Sequence, residues 1–151
     1  MKYLFVAGRN VELSVAEIKS FLEKEKIPFK VISIVKNGIL IETGRILREI
    51  IDKFGGTISI GEVLTGGTTE KIVNDLDNKS LHNARKNKLN YTVFDFNGKD
   101  SERILFYLKN RFRREGLKAT EKKLTGRISL QNGKEVSKVS SSLIDEQYFV
   151  F

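Results

Sequence analysis

The residues with the clearest chemical potential lie in one stretch. Between Lys109 and Arg127 stand eight basic side chains (Lys109, Arg111, Arg113, Arg114, Lys118, Lys122, Lys123 and Arg127) against two acidic ones, Glu115 and Glu121. Guanidinium groups hold phosphate oxygens through paired N–H donors, and ammonium groups hold them as point charges. A run of this kind therefore points to sugar-phosphate backbone, whose contacts position a nucleic acid without reading its sequence. The plain alternative is a solvated helix face, which many charge runs are. The candidate phosphate-binding set is Arg111, Arg113, Arg114, Lys118, Lys122, Lys123 and Arg127, with Lys86 and Lys88 added from the polar stretch upstream.

The distribution of charge favours the first reading. The chain has 151 residues and a net charge of +8. Residues 1–65 carry 10 Lys and Arg against 8 Asp and Glu, whereas residues 66–151 carry 17 against 11, so most of the excess sits in the second half. Basic surfaces of this kind attract nucleic acid or anionic membrane. No apolar stretch approaches the length of a membrane span, and the run Tyr3 to Ala7 is too short for a signal peptide. The expectation is a cytoplasmic protein with no membrane partner.

Other chemistries are poorly supplied. Without Cys there is no disulfide, thiolate metal site or Cys nucleophile, and the lone His82 cannot build the usual zinc sets. No G-x-G-x-x-G and no G-x-x-x-x-G-K-[ST] occurs. Pro28 is the only proline, so an Asn/Asp-Pro-Pro-aromatic turn cannot exist in this chain. Ser140-Ser141-Ser142 has no nearby His and reads as a helix cap. No catalytic or metal-binding residue is expected.

The elements that must position the basic residues can be read from periodicity. Tyr3 to Ala7 is an apolar run ended by Gly8, hence a buried strand. Ser14 and Glu17 have capping-box spacing ahead of an amphipathic helix from about Ser14 to Lys26. Phe29 to Val35 reads as a strand, and Asn37-Gly38 as a hairpin turn into a strand at Ile39 to Glu42. Ile46, Leu47, Ile50, Ile51 and Phe54 recur at helical spacing, with Gly55 placed as a left-handed cap. Thr57 to Leu64 is a further strand. The order β-α-β-β-α-β is the split βαβ, or ferredoxin-like, pattern.

Thr65 to Thr69 is a linker by composition. Beyond it come a short helix at Thr69 to Leu76, a strand at Tyr91 to Phe96 and a helix from Asp100 or Ser101 to Glu115, ended by Gly116. Leu117 to Lys122 reads as extended, and Gln131 to Lys134 as a hairpin turn. A short helix around Ser141 to Glu146 and an apolar strand at Tyr148 to Phe151 complete the chain. In the long helix the core face is assigned to Ile104, Leu105, Leu108 and Phe112. Phe106 and Tyr107 fall away from that face and are expected to pack on a second layer. The ending Tyr148-Phe149-Val150-Phe151 is apolar where termini commonly fray into polar residues, so more polypeptide is expected after it.

These residues resemble a known family. Leu4-Phe5-Val6-Ala7-Gly8-Arg9-Asn10-Val11-Glu12-Leu13-Ser14-Val15-Ala16-Glu17-Ile18 is similar to the opening of the archaeal and eukaryotic tRNA guanine-N2 methyltransferases that act on the guanosine at position ten. Phe54-Gly55-Gly56-Thr57-Ile58-Ser59-Ile60-Gly61-Glu62-Val63 resembles the segment that closes their first domain. Tyr91 to Phe96, the helix to Gly116, Leu117 to Thr120 and Val139 to Ile144 resemble a THUMP domain. Val11 replaces the family's Pro, and Thr120 stands where Arg is common.

The resemblance implies an α+β chain, with an N-terminal ferredoxin-like domain at 1–65 and a THUMP-like RNA-binding α/β domain at 66–151. It implies tRNA, gripped at its acceptor end, as the partner, and it allows an activator subunit. A downstream methyltransferase domain would carry S-adenosylmethionine and the chemistry. Two alternatives stay open: the recognition part of a DNA methylase, and a stand-alone protein-interaction domain on a ferredoxin-like scaffold, since a fold does not by itself define a function.

Overall fold

The computed structural model describes residues 1–47, 50–83, 87–96, 101–122, 129–131, 134–136 and 144–151. The fold is mixed α and β. It divides between Gly66 and Gly67 into two compact units, inside the expected linker and one residue beyond the expected boundary.

In the first unit, β1 (Lys2–Ala7), α1 (Val11–Lys24), β2 (Phe29–Val35), β3 (Gly38–Thr43) and β4 (Thr57–Glu62) follow in order. The sheet has the order β2-β3-β1-β4 and is antiparallel throughout. Side chains alternate across a strand, so β1 presents Tyr3, Phe5 and Ala7 to one face. There they join Ile18 and Leu22 of α1, Ile39 and Ile41 of β3, and Leu47 and Phe54. Phe5, Ile18 and Leu22 are wholly buried, each contributing about 1.5–3 kcal/mol by removal from water.

Three expectations need correction here. Helix α1 begins at Val11, not Ser14, because Asn10 is its cap: Asn10 Oδ1 accepts from the Leu13 amide at 2.9 Å. Ser14 and Glu17 instead serve the Gly55-Gly56 turn. Glu17 accepts from the amides of Gly55 (2.7 Å) and Gly56 (3.0 Å), and Ser14 Oγ donates to the Gly56 carbonyl at 2.8 Å. The second helix is also different. Among the described residues of 46–54 there is only a 3-10 turn at Ile51–Lys53. The apolar spacing is satisfied without a helix, since Leu47 and Phe54 enter the core from irregular chain and the Leu47 amide donates to the Tyr3 hydroxyl at 3.0 Å. Gly55 is not in the left-handed region. Finally, the β2–β3 hairpin turns on Lys36-Asn37, with Lys36 at φ 53°, while Gly38 already belongs to β3.

In the second unit, α2 (Thr69–Asp77), β5 (Lys88–Asp95), α3 (Ser101–Arg114), β6 (Lys118–Glu121) and β9 (Glu146–Val150) are joined by a short ribbon, β7 (Ser129–Gln131) and β8 (Lys134–Val136). The ribbon is antiparallel, as the expected hairpin requires. The main sheet has the order β6-β5-β9 with both pairings parallel. Parallel neighbours need a crossover, and α3 supplies the one between β5 and β6. Gly116, at φ 73°, stops α3 as a left-handed residue after a helix end does. Of the expected helix at 141–146, Ser141 to Leu143 lie outside the described residues, and Glu146 opens strand β9.

The core of this unit joins Leu89 and Tyr91 of β5 to Ile104, Tyr107, Leu108 and Phe112 of α3, with Leu76 and Leu81 beneath. The Tyr91 and Phe112 rings meet edge-on with centroids 5.1 Å apart.

Candidate nucleic-acid interface

Helix α3 decides where three of the nine basic candidates go. It buries Ile104, Tyr107, Leu108 and Phe112, one face at i, i+3, i+4 and i+8 spacing. Tyr107 is thus part of the core, contrary to expectation, and its hydroxyl donates to Asp77 Oδ1 at 2.8 Å. Burial and that hydrogen bond push the Tyr107 hydroxyl above its ordinary pKa. Phe106, expected on a second layer, is 70% exposed. It lies in an open groove between α2 and α3, lined by Val73, Glu102, Arg103, Tyr107, Asn110 and Arg114.

Arg111 follows Tyr107 by one turn and shares its side of the helix. Its side chain is 17% exposed and pairs with Glu115 through Nε. Nη1 donates to the Asp77 carbonyl at 2.9 Å, and contacts of 3.3–3.4 Å reach the carbonyls of Leu76 and Lys79. Those carbonyls close the end of α2, where the last turn of a helix leaves acceptors without partners. Arg111 therefore binds the α2–β5 connection to α3, and we withdraw it from the phosphate-binding set. The hydrogen bond to Glu115 leads the effects that raise its pKa. His82 completes the cluster, its Nε2 lying 2.9 Å from Glu115 Oε2.

The other helical arginines have different settings. Arg114 reaches Asp77 Oδ1 at 3.4 Å but remains 63% exposed. Arg113 is exposed on the outer side of α3, and its side chain has no hydrogen bond or ion pair among the described residues. Lys109, counted in the run, pairs with Glu121 of β6 at 3.2 Å.

The sheet places the remaining candidates. Leu89, Tyr91 and Val93 of β5 and Ala119 of β6 pack with α3. Alternation then turns Lys88 and Asn90, with Lys118 and Thr120, to the opposite face. In the parallel register Lys88 sits beside Lys118 and Asn90 beside Thr120. Both lysines are exposed, and neither has an acidic partner among the described residues. Neighbouring strands are about 4.8 Å apart, so two ammonium-bearing stems leave adjacent backbones at the start of β5 and β6. Lys122, half-buried, follows β6 by one residue, and its amide donates to the Tyr91 carbonyl at 2.7 Å. Asp145 bounds this face, its carboxylate accepting from the Asn90 amide at 2.6 Å.

The basic run is thus divided by α3 and the sheet. Lys88 and Lys118 are brought together, and Lys122 lies just past the end of β6. Arg113 and Arg114 belong to the helix layer on the other face. Lys86, Lys123 and Arg127 lie outside the described residues. Sequence reasoning missed Asn90, which the two-residue step from Lys88 could have found, and it missed the exposure of Phe106.

Among the described residues no three His, Cys, Asp or Glu side chains gather as a metal site. No helix among them is long and apolar enough to cross a membrane. No family model, curated protein or solved structure matches the chain.

Proposed function

We propose that the second unit docks RNA, and that the chain is the tRNA-docking part of an S-adenosylmethionine-dependent tRNA guanine-N2 methyltransferase. The carrying observation is the register pair Lys88 and Lys118. Like charges placed side by side on adjacent strands are destabilising, and among the described residues no carboxylate pairs with either lysine. A phosphate oxygen set between the two ammonium groups removes the repulsion and gains two charge-assisted contacts. Asn90 and Thr120 add neutral hydrogen-bonding groups one step along the same face, and Lys122 extends the cationic edge.

Two further features support the family reading. The strand order β2-β3-β1-β4, with α1 between β1 and β2, agrees with a ferredoxin-like first domain. The parallel β5–α3–β6 crossover agrees with a THUMP-like second one. On this reading catalysis and S-adenosylmethionine belong to a further methyltransferase domain. The described residues do not fit that cofactor. Neither the groove beside Phe106 nor the smaller cavity beside Tyr3 and Glu62 has a glycine-rich strand-to-helix turn to receive it.

The test is filter binding of whole tRNA, an isolated acceptor stem and duplex DNA at graded salt. We expect tRNA to bind best and K88E/K118E to lose at least about tenfold in affinity at low salt. Replacing both lysines by Gln should make the salt slope shallower by roughly 1.4–1.8, two phosphate contacts' worth. Equal affinity for duplex DNA would move the reading to a DNA methylase. Unchanged tRNA affinity in both variants would end the nucleic-acid reading.

A further inference from the structure

The outer side of α3 carries a pattern that the RNA reading does not use. Glu102, Phe106, Lys109 and Arg113 follow one another at steps of four, three and four residues, the spacing of a helix–helix seam. All four are exposed. Phe106 is the large apolar member, and a lone exposed Phe flanked by charge resembles the aromatic anchors of interface centres. Among the described residues neither the Glu102 nor the Arg113 side chain has a hydrogen bond or ion pair. Arg103, the other cation beside the seam, is held by Glu70 at 3.0 Å.

The order of chemistry along this line is acid, aromatic, cation, cation. Laid parallel on itself, it would set Glu102 against Glu102 and Arg113 against Arg113. Laid antiparallel, it sets Glu102 of each copy against Arg113 of the other, and Phe106 against Lys109. The first pairing gives an ion pair at both ends, separated by about 16 Å along a helix rising 1.5 Å per residue. The second places the methylene stem of Lys109, whose ammonium lies 3.2 Å from Glu121 Oε2 of its own chain, over an aromatic ring. A surface complementary to itself under a twofold rotation is what a closed homodimer requires.

We propose that α3 pairs antiparallel with α3 of a second copy of this chain, through Glu102, Phe106, Lys109 and Arg113. One helix pair of three turns buries less than the roughly 1,200 Å² of a stable complex. The association is therefore weak and concentration-dependent, with a dissociation constant on the order of 100 µM.

Sedimentation velocity of the full chain over a range of concentrations spanning about 10 µM to 1 mM tests it. We expect the mean sedimentation coefficient to rise with concentration. E102R and R113E should each remain monomeric at tenfold higher concentration than wild type, and E102R/R113E should restore association by exchanging the charges. Phe106→Ser should abolish association while its far-ultraviolet circular dichroism stays that of the wild type. A wild-type chain that is monomeric throughout overturns the proposal. So does a double variant that fails to recover, and so does an R113E chain that self-associates normally but loses tRNA binding, which would give this face to RNA.

Discussion

The Glu17 carboxylate holds the backbone of Gly56. Its Oε2 accepts from the Gly56 amide at 3.0 Å while Oε1 takes the neighbouring Gly55 amide at 2.7 Å. A helix side chain thereby fixes the turn that feeds β4, and Gly56 returns the constraint by accepting from Ser14 and from the Gly8 amide. Glu17→Ala removes both acceptors. The expected loss is about 1–2 kcal/mol, since hydrogen bonds to a charged group are the stronger kind and this one is partly exposed. Urea denaturation of the two proteins measures it.

The same turn makes a prediction about Gly56 itself. A Cβ there would stand 2.7 Å from Ser14 Oγ and 3.2 Å from Glu17 Oε2. Gly56→Ala should cost about 1–3 kcal/mol through overpacking. Gly66→Ala meets nothing within 4 Å and should leave the urea midpoint unchanged.

Arg111 and Arg113 differ in what they contribute to stability. Arg111→Ala should lower stability by about 1–3 kcal/mol, because it strands the carbonyls that end α2 and the Glu115 carboxylate. Arg113→Ala should change stability by less than about 0.5 kcal/mol. Thermal melts of the pair would contradict this assignment if the two variants behaved alike.

Acid should loosen the second unit through identifiable carboxylates. The Tyr107 hydroxyl and the nearby Arg114 and Arg111 guanidinium groups hold Asp77 below its ordinary value of 3.8. For Glu115 burial pulls upward, but hydrogen bonds from Arg111 and His82 outweigh it and leave the group below 4.5. A depressed carboxylate gives stability that is present above its unfolded value and disappears as pH falls through the folded one. Wild type should therefore lose stability as pH drops below about 4.5, and Asp77→Asn should show a shallower dependence. Urea midpoints across that range give the comparison.

Phe112 is the central ring of the second unit, wholly buried and in contact with Tyr91 and Tyr148. Phe112→Ala should cost about 3–5 kcal/mol, and the loss should appear as diminished near-ultraviolet dichroism from the tyrosines.

Much of the scaffold was legible in one-dimensional pattern. The strand at Phe29–Val35 and the helices at Thr69 and Ser101 follow from side-chain period and capping chemistry, which are local. The misreadings share a cause. Ser14 and Glu17 have the spacing of a local cap, yet their partners are Gly55 and Gly56, about forty positions away. Ile46 to Phe54 has helical spacing, but among its described residues Leu47 and Phe54 reach the core with only a 3-10 turn between them. The candidate interface was legible in composition and not in arrangement. Nothing local shows that Lys88 and Lys118 become neighbours, because that depends on a parallel register across an intervening helix. Arg111 looked like its neighbours Arg113 and Arg114, and only the angle around the helix separates a residue facing α2 from one facing water.

The parallel sheet also has a kinetic consequence. Its middle strand finds its partners 30 and 55 positions downstream, at Lys118 for Lys88 and at Glu146 for Tyr91. The first unit begins from a hairpin whose strands are two residues apart. Long loops must close before distant pairings are rewarded, which slows the assembly of such topologies. On the ribosome the N-terminal unit can settle early, while β5 waits with one edge bare until Glu146–Val150 has emerged. During that interval its Val93-Phe94 edge is open to pairing with a stranger.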